Sequence, residues 1–418
     1  MGWLVGAAMF LLGCGRLGFD ALGGDDGPPG GVDLDFRSCA SPASGIAFAR
    51  ASTATYFDAT GTMQTAEAGQ PRCSYDANGK PSGLLVEGAA INRNAYSRGE
   101  GVDVENLPEG WISQHDVPVT VSATVASSTT FLGMREATLT VTNSDNVGQY
   151  WQVLTGCDVP QGGGPYTMSW YVRSTDPAGI QACYMFGLLF TPNLQMTLLR
   201  TPESPDVIPG AAWGRIVYTI NAPPTTGHIQ MYFECVADAS TSFSLTLAAP
   251  QLEQGPLATT PIPTTGGTTA MRAADIVTLS TSQLNIDESG TVVVDVGVAD
   301  AVTDVRRTAL ASGDTATVFR LAREATGWTA SNDGSVASVP GVVAGTHRVG
   351  YRFAPGAGTL AVDGVVNASP GAPALAGSLT ALGADRDGVD SLTGTLARVR
   401  AWPDALDDTT LMSVTQSN

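Results

Sequence analysis

Lysine is almost missing from this chain. Of 21 basic residues in 418, only Lys80 is a lysine. A phosphate-cradling Walker loop needs a lysine followed by Ser or Thr, and Lys80 is followed by Pro81, so that nucleotide chemistry is excluded. Charge of either sign is scarce too, at 14% of residues against roughly 25% in globular chains. The balance is acidic, with a net charge of −18. Nucleic acid and anionic lipid both require clustered positive charge, so neither is an expected partner. Histidine occurs three times, at 115, 228 and 347. No C-x-x-C pair is present, which removes zinc ribbons and thioredoxin-like motifs. G-x-S-x-G, H-E-x-x-H and dinucleotide-loop patterns are absent as well.

What the chain does have is glycine (49), proline (25) and 43% hydrophobic residues. That apolar content is ample for buried cores and argues against global disorder. The length suggests two to three domains. Helical spacing is almost absent. Runs of 6–9 alternating residues recur instead, separated by Gly, Pro, Asn and Asp, as in stacked antiparallel sheets.

The longest apolar run, residues 3–13, is about half of a bilayer crossing and fits a signal-peptide core. It ends Leu11-Leu12-Gly13-Cys14, which resembles the lipobox of bacterial lipoproteins. No Lys or Arg precedes the run, a departure from the usual positive n-region. The resemblance implies cleavage before Cys14, acylation of Cys14, and membrane contact only through that anchor. Gly15, standing where an inner-membrane protein would carry Asp, agrees with export to the outer membrane or cell surface. The alternative is a plain apolar strand or helix. Residues 15–32 hold a Gly/Pro/Asp-rich stretch at 23–31 and read as a flexible tether.

Six cysteines occur: 14, 39, 73, 157, 183 and 235. In an oxidising compartment disulfides are expected, and an acylated Cys14 leaves five. The favoured pairs are Cys39–Cys73 and Cys183–Cys235, with the partner of Cys157 open. Cys183 is in phase with Met185, and Cys235 with Phe233, so both point to one core. Alternation sets the face and leaves the strand neighbours undetermined.

Residues 33–98 contain Arg50-Ala-Ser-Thr-Ala-Thr-Tyr56-Phe-Asp58, Pro71-Arg72, Tyr75-Asp76 and Gly83-Leu-Leu-Val-Glu87. This stretch resembles a segment of phage tail-fibre proteins, except that Ala90-Ile91-Asn92 replaces the usual Arg-Thr-Asn. The resemblance implies a small β module. In residues 99–254, the runs 166–173, 228–235 and 243–249 alternate cleanly. The block resembles the carbohydrate-binding-like jelly roll that follows the first segment in the same proteins. Residues 255–275 carry Ile262-Pro263-Thr264 and Arg272-Ala-Ala-Asp275, again as in that family. Their prolines and glycines read as a rigid-then-flexible linker. Residues 276–418 include an Asp363-Gly364 hairpin signal and end Arg398-Val-Arg-Ala-Trp402 before a short helix. That ending resembles concanavalin-A/laminin-G-like sandwiches.

Candidate chemistry is sparse. His347 is in phase with core residues and reads as structural, whereas His228 follows a turn and reads as solvent-facing. A concanavalin-A-like glycosidase needs two spaced carboxylates, and the adjacent Asp287-Glu288 pair diverges on a strand. Asp385, Asp387 and Asp390 form a D-x-D-G-x-D turn with hard oxygen ligands. The expectation is structural calcium there, with a solvated acidic turn as the plainer reading. Sugar recognition needs aromatic faces and amide or carboxylate partners. Gln230, Tyr232 and Glu234 share one strand face, with Tyr150 and Trp151 as candidate platforms.

The expected fold is all-β: two antiparallel β-sandwiches in tandem with a small N-terminal β module. The expected function is non-catalytic, adhesin-like binding of a glycan or surface polymer by a lipid-anchored surface protein. The alternatives are a ligand-free structural protein derived from a tail fibre, and a degenerate glycan hydrolase. Oligomeric state stays open.

Overall fold

The computed structural model describes residues 30–39, 45–101, 106–194, 196–298, 305–314, 317–332, 335–341, 344–370, 375 and 377–416. The apolar run, Cys14 and nearly all of the tether lie outside the described residues. What is described is almost entirely antiparallel β-structure, with one α-helix, Asp408–Thr415. The all-β, two-sandwich expectation holds.

The first sandwich packs two sheets around one core. One sheet runs in the order Gly214–Ala222, Gly164–Asp176, Ser242–Gln254, Arg135–Asn143 and Val119–Ser127. The other runs Thr197–Arg200, Ile180–Phe190, His228–Ala237, Gln149–Asp158 and Ile112–His115. Period-2 alternation aims Tyr166, Met168, Trp170 and Val172 at Ile229, Met231, Phe233 and Cys235. Trp111 meets Trp170 edge-on, with ring centroids 4.8 Å apart. The strands Ile180–Phe190 and His228–Ala237 are neighbours, and Cys183 lies directly opposite Cys235. The two form a disulfide, and so do Cys39 and Cys73. Cys157 is buried and unpaired, and burial pushes its thiol up. The Cys183–Cys235 bond closes a loop of sequence separation 52. Replacing both cysteines by Ala is expected to lower unfolding stability by roughly 2–4 kcal/mol. Urea denaturation of the double variant against the oxidised parent measures this, and coincident curves would contradict it.

The second sandwich is not continuous in sequence. One sheet has the order Val365–Pro370, Ala357–Val362, Gly345–Ala354, Gly290–Val298, Gly394–Trp402, Pro81–Val86 and Arg72–Tyr75, with Val32–Asp35 also on Gly394–Trp402. The facing sheet begins with Ile46–Ala49, which pairs with Ile276–Ser280. Phe36, Leu84 and Val86 sit in the same core as Val292, Val294, Tyr351 and Val399. Residues 33–98 are therefore not the separate module expected. They supply strands to both sheets of the C-terminal sandwich, because its apolar faces need covering at those edges. Asp363 and Gly364 both have positive φ, as the predicted hairpin requires.

The jelly roll is an insertion in this split sandwich. Its entry strand Ala90–Asn92 and exit strand Ala270–Arg272 pair side by side. The hairpin of Ala54–Phe57 and Met63–Ala66 leans on the jelly roll through Phe57, Phe131 and Tyr171. Residues 255–275 are no flexible linker either: Thr259, Ile262, Thr264, Arg272 and Asp275 are buried.

The residues that carry the tail-fibre resemblance converge here. Arg50 Nη1 lies 2.9 Å from Asp275 Oδ1, and Arg72 Nη2 donates to Asp275 Oδ2. Arg72 Nη1 and Arg272 Nη1 reach Glu87 Oε2 at 2.7 and 2.9 Å. Thr260 adds its N–H to Glu87 Oε1 and its hydroxyl to Glu87 Oε2, both at 2.7 Å. Burial alone would push the Glu87 carboxyl up. Arg272, Arg72 and the Thr260 donors outweigh it and hold the group at about 2, below its ordinary 4.5. A depressed folded value gives stability that is present above the unfolded pKa and lost as pH falls. Melting temperature is therefore expected to drop between about pH 4.5 and pH 2, and less steeply in Glu87→Gln. A parent melting profile flat across that window would contradict this.

Candidate functional site

The outer face of the Ile180–Phe190 sheet is organised in rows, because antiparallel register puts like-facing residues side by side. One row reads Tyr184, Glu234, Gln152, Gln114 across four neighbouring strands. The next reads Phe186, Tyr232, Leu154, Ile112. The first row is polar and the second apolar. The Phe186 and Tyr232 rings stack with centroids 4.6 Å apart, and the Arg200 guanidinium sits 4.0 Å above Phe186.

The polar row forms the floor of an open cleft of about 510 Å³. Tyr150, His115 and Asp116 rim one side, and Arg200 and Glu203 the other. Tyr150 is half exposed. Gln152 Nε2 donates to Gln114 Oε1 at 2.7 Å, leaving Gln152 Oε1 and Gln114 Nε2 without a protein partner among the described residues. Tyr184 donates its hydroxyl to Glu234 Oε1. Burial pushes the Glu234 carboxyl up, and the nearby Glu203 and Asp116 charges add to this. The Tyr184 bond and Arg200 pull the other way without reversing the direction. Burial and the Glu234 contact also push the Tyr184 phenol up. Arg200 Nη2 pairs with Glu203 Oε1 at 2.9 Å, but both side chains are nearly half exposed, so the pair adds little stability.

Of the five residues expected to contact sugar, Tyr150 and Glu234 line this cleft. Tyr232 is 5% exposed, its ring lies against Phe186, and its hydroxyl donates to Gln230 Oε1 at 3.0 Å. Tyr232 and Gln230 thus shape the floor beside the cleft and do not line it. Trp151 requires a correction. It is fully buried in the jelly-roll core, with its indole N–H on Ser113 Oγ at 2.9 Å. Tyr150 and Trp151 are consecutive on one strand, so only one of them can face outward. Gln114, His115, Asp116, Gln152, Tyr184, Arg200 and Glu203 were missed. Gln152 is in phase with Tyr150, and Tyr184 is out of phase with Cys183, so alternation did contain a signal for both.

The acidic turn does not fit a metal. Asp385 accepts from Thr308 Oγ1 at 3.0 Å and from Arg320 Nε at 2.9 Å, while Asp390 pairs with Arg306 at 3.1 Å. Among the described residues no three His, Cys, Asp or Glu side chains converge as a metal site. Thr308 and Arg320 engage both oxygens of Asp385 and Arg306 one oxygen of Asp390, while Asp387 accepts only the Val389 N–H, at 3.2 Å, among the described residues. His347 is buried with Nδ1 2.7 Å from Asp363 Oδ2, consistent with a structural role. His228 is not solvent-facing: its side chain is 13% exposed and its Nδ1 lies 2.8 Å from Asp158 Oδ1.

No family model matches the chain, and no curated protein matches it. Among solved structures, the enzymatically active domain of bacteriophage CBA120 tailspike protein 4 aligns at 11% identity and TM-score 0.28. The alignment covers 38% of this chain and 21% of that one, so the chain spans about a fifth of the tailspike's length. A carbohydrate-binding module of the β-sandwich superfamily aligns at 16% identity and TM-score 0.31, covering 54% of this chain and 93% of that one. The family 11 carbohydrate-binding module of Clostridium thermocellum aligns at 14% identity and TM-score 0.28, covering 41% and 97% respectively.

Proposed function

We propose that this protein is a non-catalytic glycan-binding protein and that the jelly-roll cleft is its binding site. The observation that carries the reading is the row Gln114–Gln152–Glu234–Tyr184, with exposed Tyr150 on its rim. Amide and carboxylate groups pair with adjacent sugar hydroxyls. An aromatic face at the rim covers the C–H-rich face of a pyranose ring. An open cleft of about 510 Å³ suits a few residues of a chain that continues beyond both ends. Under this proposal Cys14 carries a lipid anchor, which holds the binding face at the outer membrane or cell surface. The laminin-G-like likeness of residues 276–418 belongs to the same proposal, as the support on which the jelly roll is carried.

A glycan array on the full-length chain in detergent tests binding, and reducing-sugar release tests turnover. Binding without release is expected. Tyr150→Ala and Gln152→Ala are each expected to weaken the best ligand about tenfold, measured by calorimetry, with melting temperature unchanged. Release that disappears in Glu234→Gln would make the protein a hydrolase. Absence of binding to any glycan, with self-association, would favour a structural role. Palmitate labelling is expected to be lost in Cys14→Ala, and undiminished labelling would remove the anchor.

A further inference from the structure

We propose that the cleft takes an amine-bearing glycan, with the ammonium of a hexosamine residue seated against Glu234. This deepens the reading of the cleft as a glycan site and rests on it. Glu234 is only 7% exposed. Its Oε1 accepts from the Tyr184 hydroxyl, and its Oε2 has no protein partner among the described residues. That oxygen opens on the cleft, so a carboxylate held by one neutral donor keeps an acceptor free for a ligand's donor. Partial burial and the nearby Glu203 and Asp116 charges push its protonation up, a push that a cation seated beside it would oppose.

Two further carboxylates line the cleft. Among the described residues Asp116 Oδ2 accepts only the Tyr150 N–H, at 3.2 Å, and Glu203 is paired with Arg200. Arg200 is already engaged on both sides, by Glu203 and by the Phe186 ring. His115 is the other basic residue of the lining, and its Nδ1 rests on the Asp116 backbone oxygen at 3.1 Å. Carboxylates therefore outnumber guanidinium groups in the cleft. A uronate carboxylate meets like charge there, and a neutral hydroxyl offers Glu234 a hydrogen bond without charge. A sugar ammonium offers three N–H donors and the missing positive charge.

The test is calorimetry on the full-length chain with a short glucosamine oligomer, its N-acetylated counterpart and a galacturonate oligomer of equal length. It is run at a pH where the sugar amine is protonated, at low and at high salt. The glucosamine oligomer is expected to bind about tenfold more tightly than the N-acetylated one, and the galacturonate oligomer most weakly. The ratio is expected to shrink with salt and to fall below about threefold in Glu234→Gln and in Asp116→Asn. Asp116 lies at the rim, so its variant reads the effect even if Glu234→Gln disturbs the floor. Glu288→Gln, an exposed site on the other sandwich, is expected to leave the ratio unchanged. Equal or tighter binding of the N-acetylated or galacturonate oligomer overturns this inference and leaves the cleft reading intact. An equal shift in Glu288→Gln overturns it too, since the preference would then belong to the whole molecule's negative charge. Binding of none of the three overturns this inference, while the glycan array decides the cleft reading separately.

Discussion

Asp275→Ala is expected to destabilise the protein by about 3–5 kcal/mol, the usual result of removing one partner from a buried ion pair. Asp275 is completely buried and answers two arginines, Arg50 and Arg72. Its Oδ2 also accepts the backbone N–H of Glu87 at 2.9 Å. Without it, Arg50 keeps the carbonyls of Ser52, Ala66 and Glu67, and a guanidinium remains buried without its carboxylate. The three elements that meet here come from the N-terminal segment, the strand before the jelly roll and the strand after it. The loss should therefore appear as one cooperative transition moved to lower denaturant. Urea unfolding measures it. A loss under about 1 kcal/mol would mean that the cluster is replaceable by water and that the junction is held by its apolar contacts alone.

A larger effect is expected from dividing the chain at the boundary that composition suggests. A fragment of residues 276–418 should not fold. Its core includes Phe36, Leu84 and Val86, all supplied by residues before the jelly roll. Cutting them away exposes Val399 and Leu396 on the same sheet and frees the edges paired with Val32–Asp35, Pro81–Val86 and Ile46–Ala49. Open apolar edges of this kind aggregate. Far-ultraviolet circular dichroism and size exclusion should show an aggregated or poorly ordered fragment, against a cooperatively melting, unaggregated species for residues 30–418. A fragment 276–418 that melts cooperatively would contradict the split sandwich.

The sequence carried the strand faces well. Met168 and Trp170, Ile229 and Phe233, and Cys183 and Cys235 all point where period-2 alternation puts them. Neighbours were not legible, because alternation is local and pairing is not. Val32–Asp35 pairs with a strand more than 360 residues later, and nothing in either segment names the other. For the same reason residues 33–98 read as a module and 255–275 as a linker, although the first supplies strands to the split sandwich and the second joins the jelly-roll sheet through Ala270–Arg272. The site was half legible. Tyr150 and Glu234 belong to it, but the row that joins them depends on Gln152 lying between Glu234 and Gln114. In the acidic turn, spacing showed the carboxylates and concealed Arg306 and Arg320, which answer Asp390 and Asp385.

Hydrogen–deuterium exchange on the full-length chain, with and without the best glycan from the array, tests the central claim most directly. Protection is expected to concentrate in residues 112–116, 149–154, 184–203 and 230–236, the strands and rim of the cleft. Protection confined to residues 276–416, or none at saturating glycan, would contradict it.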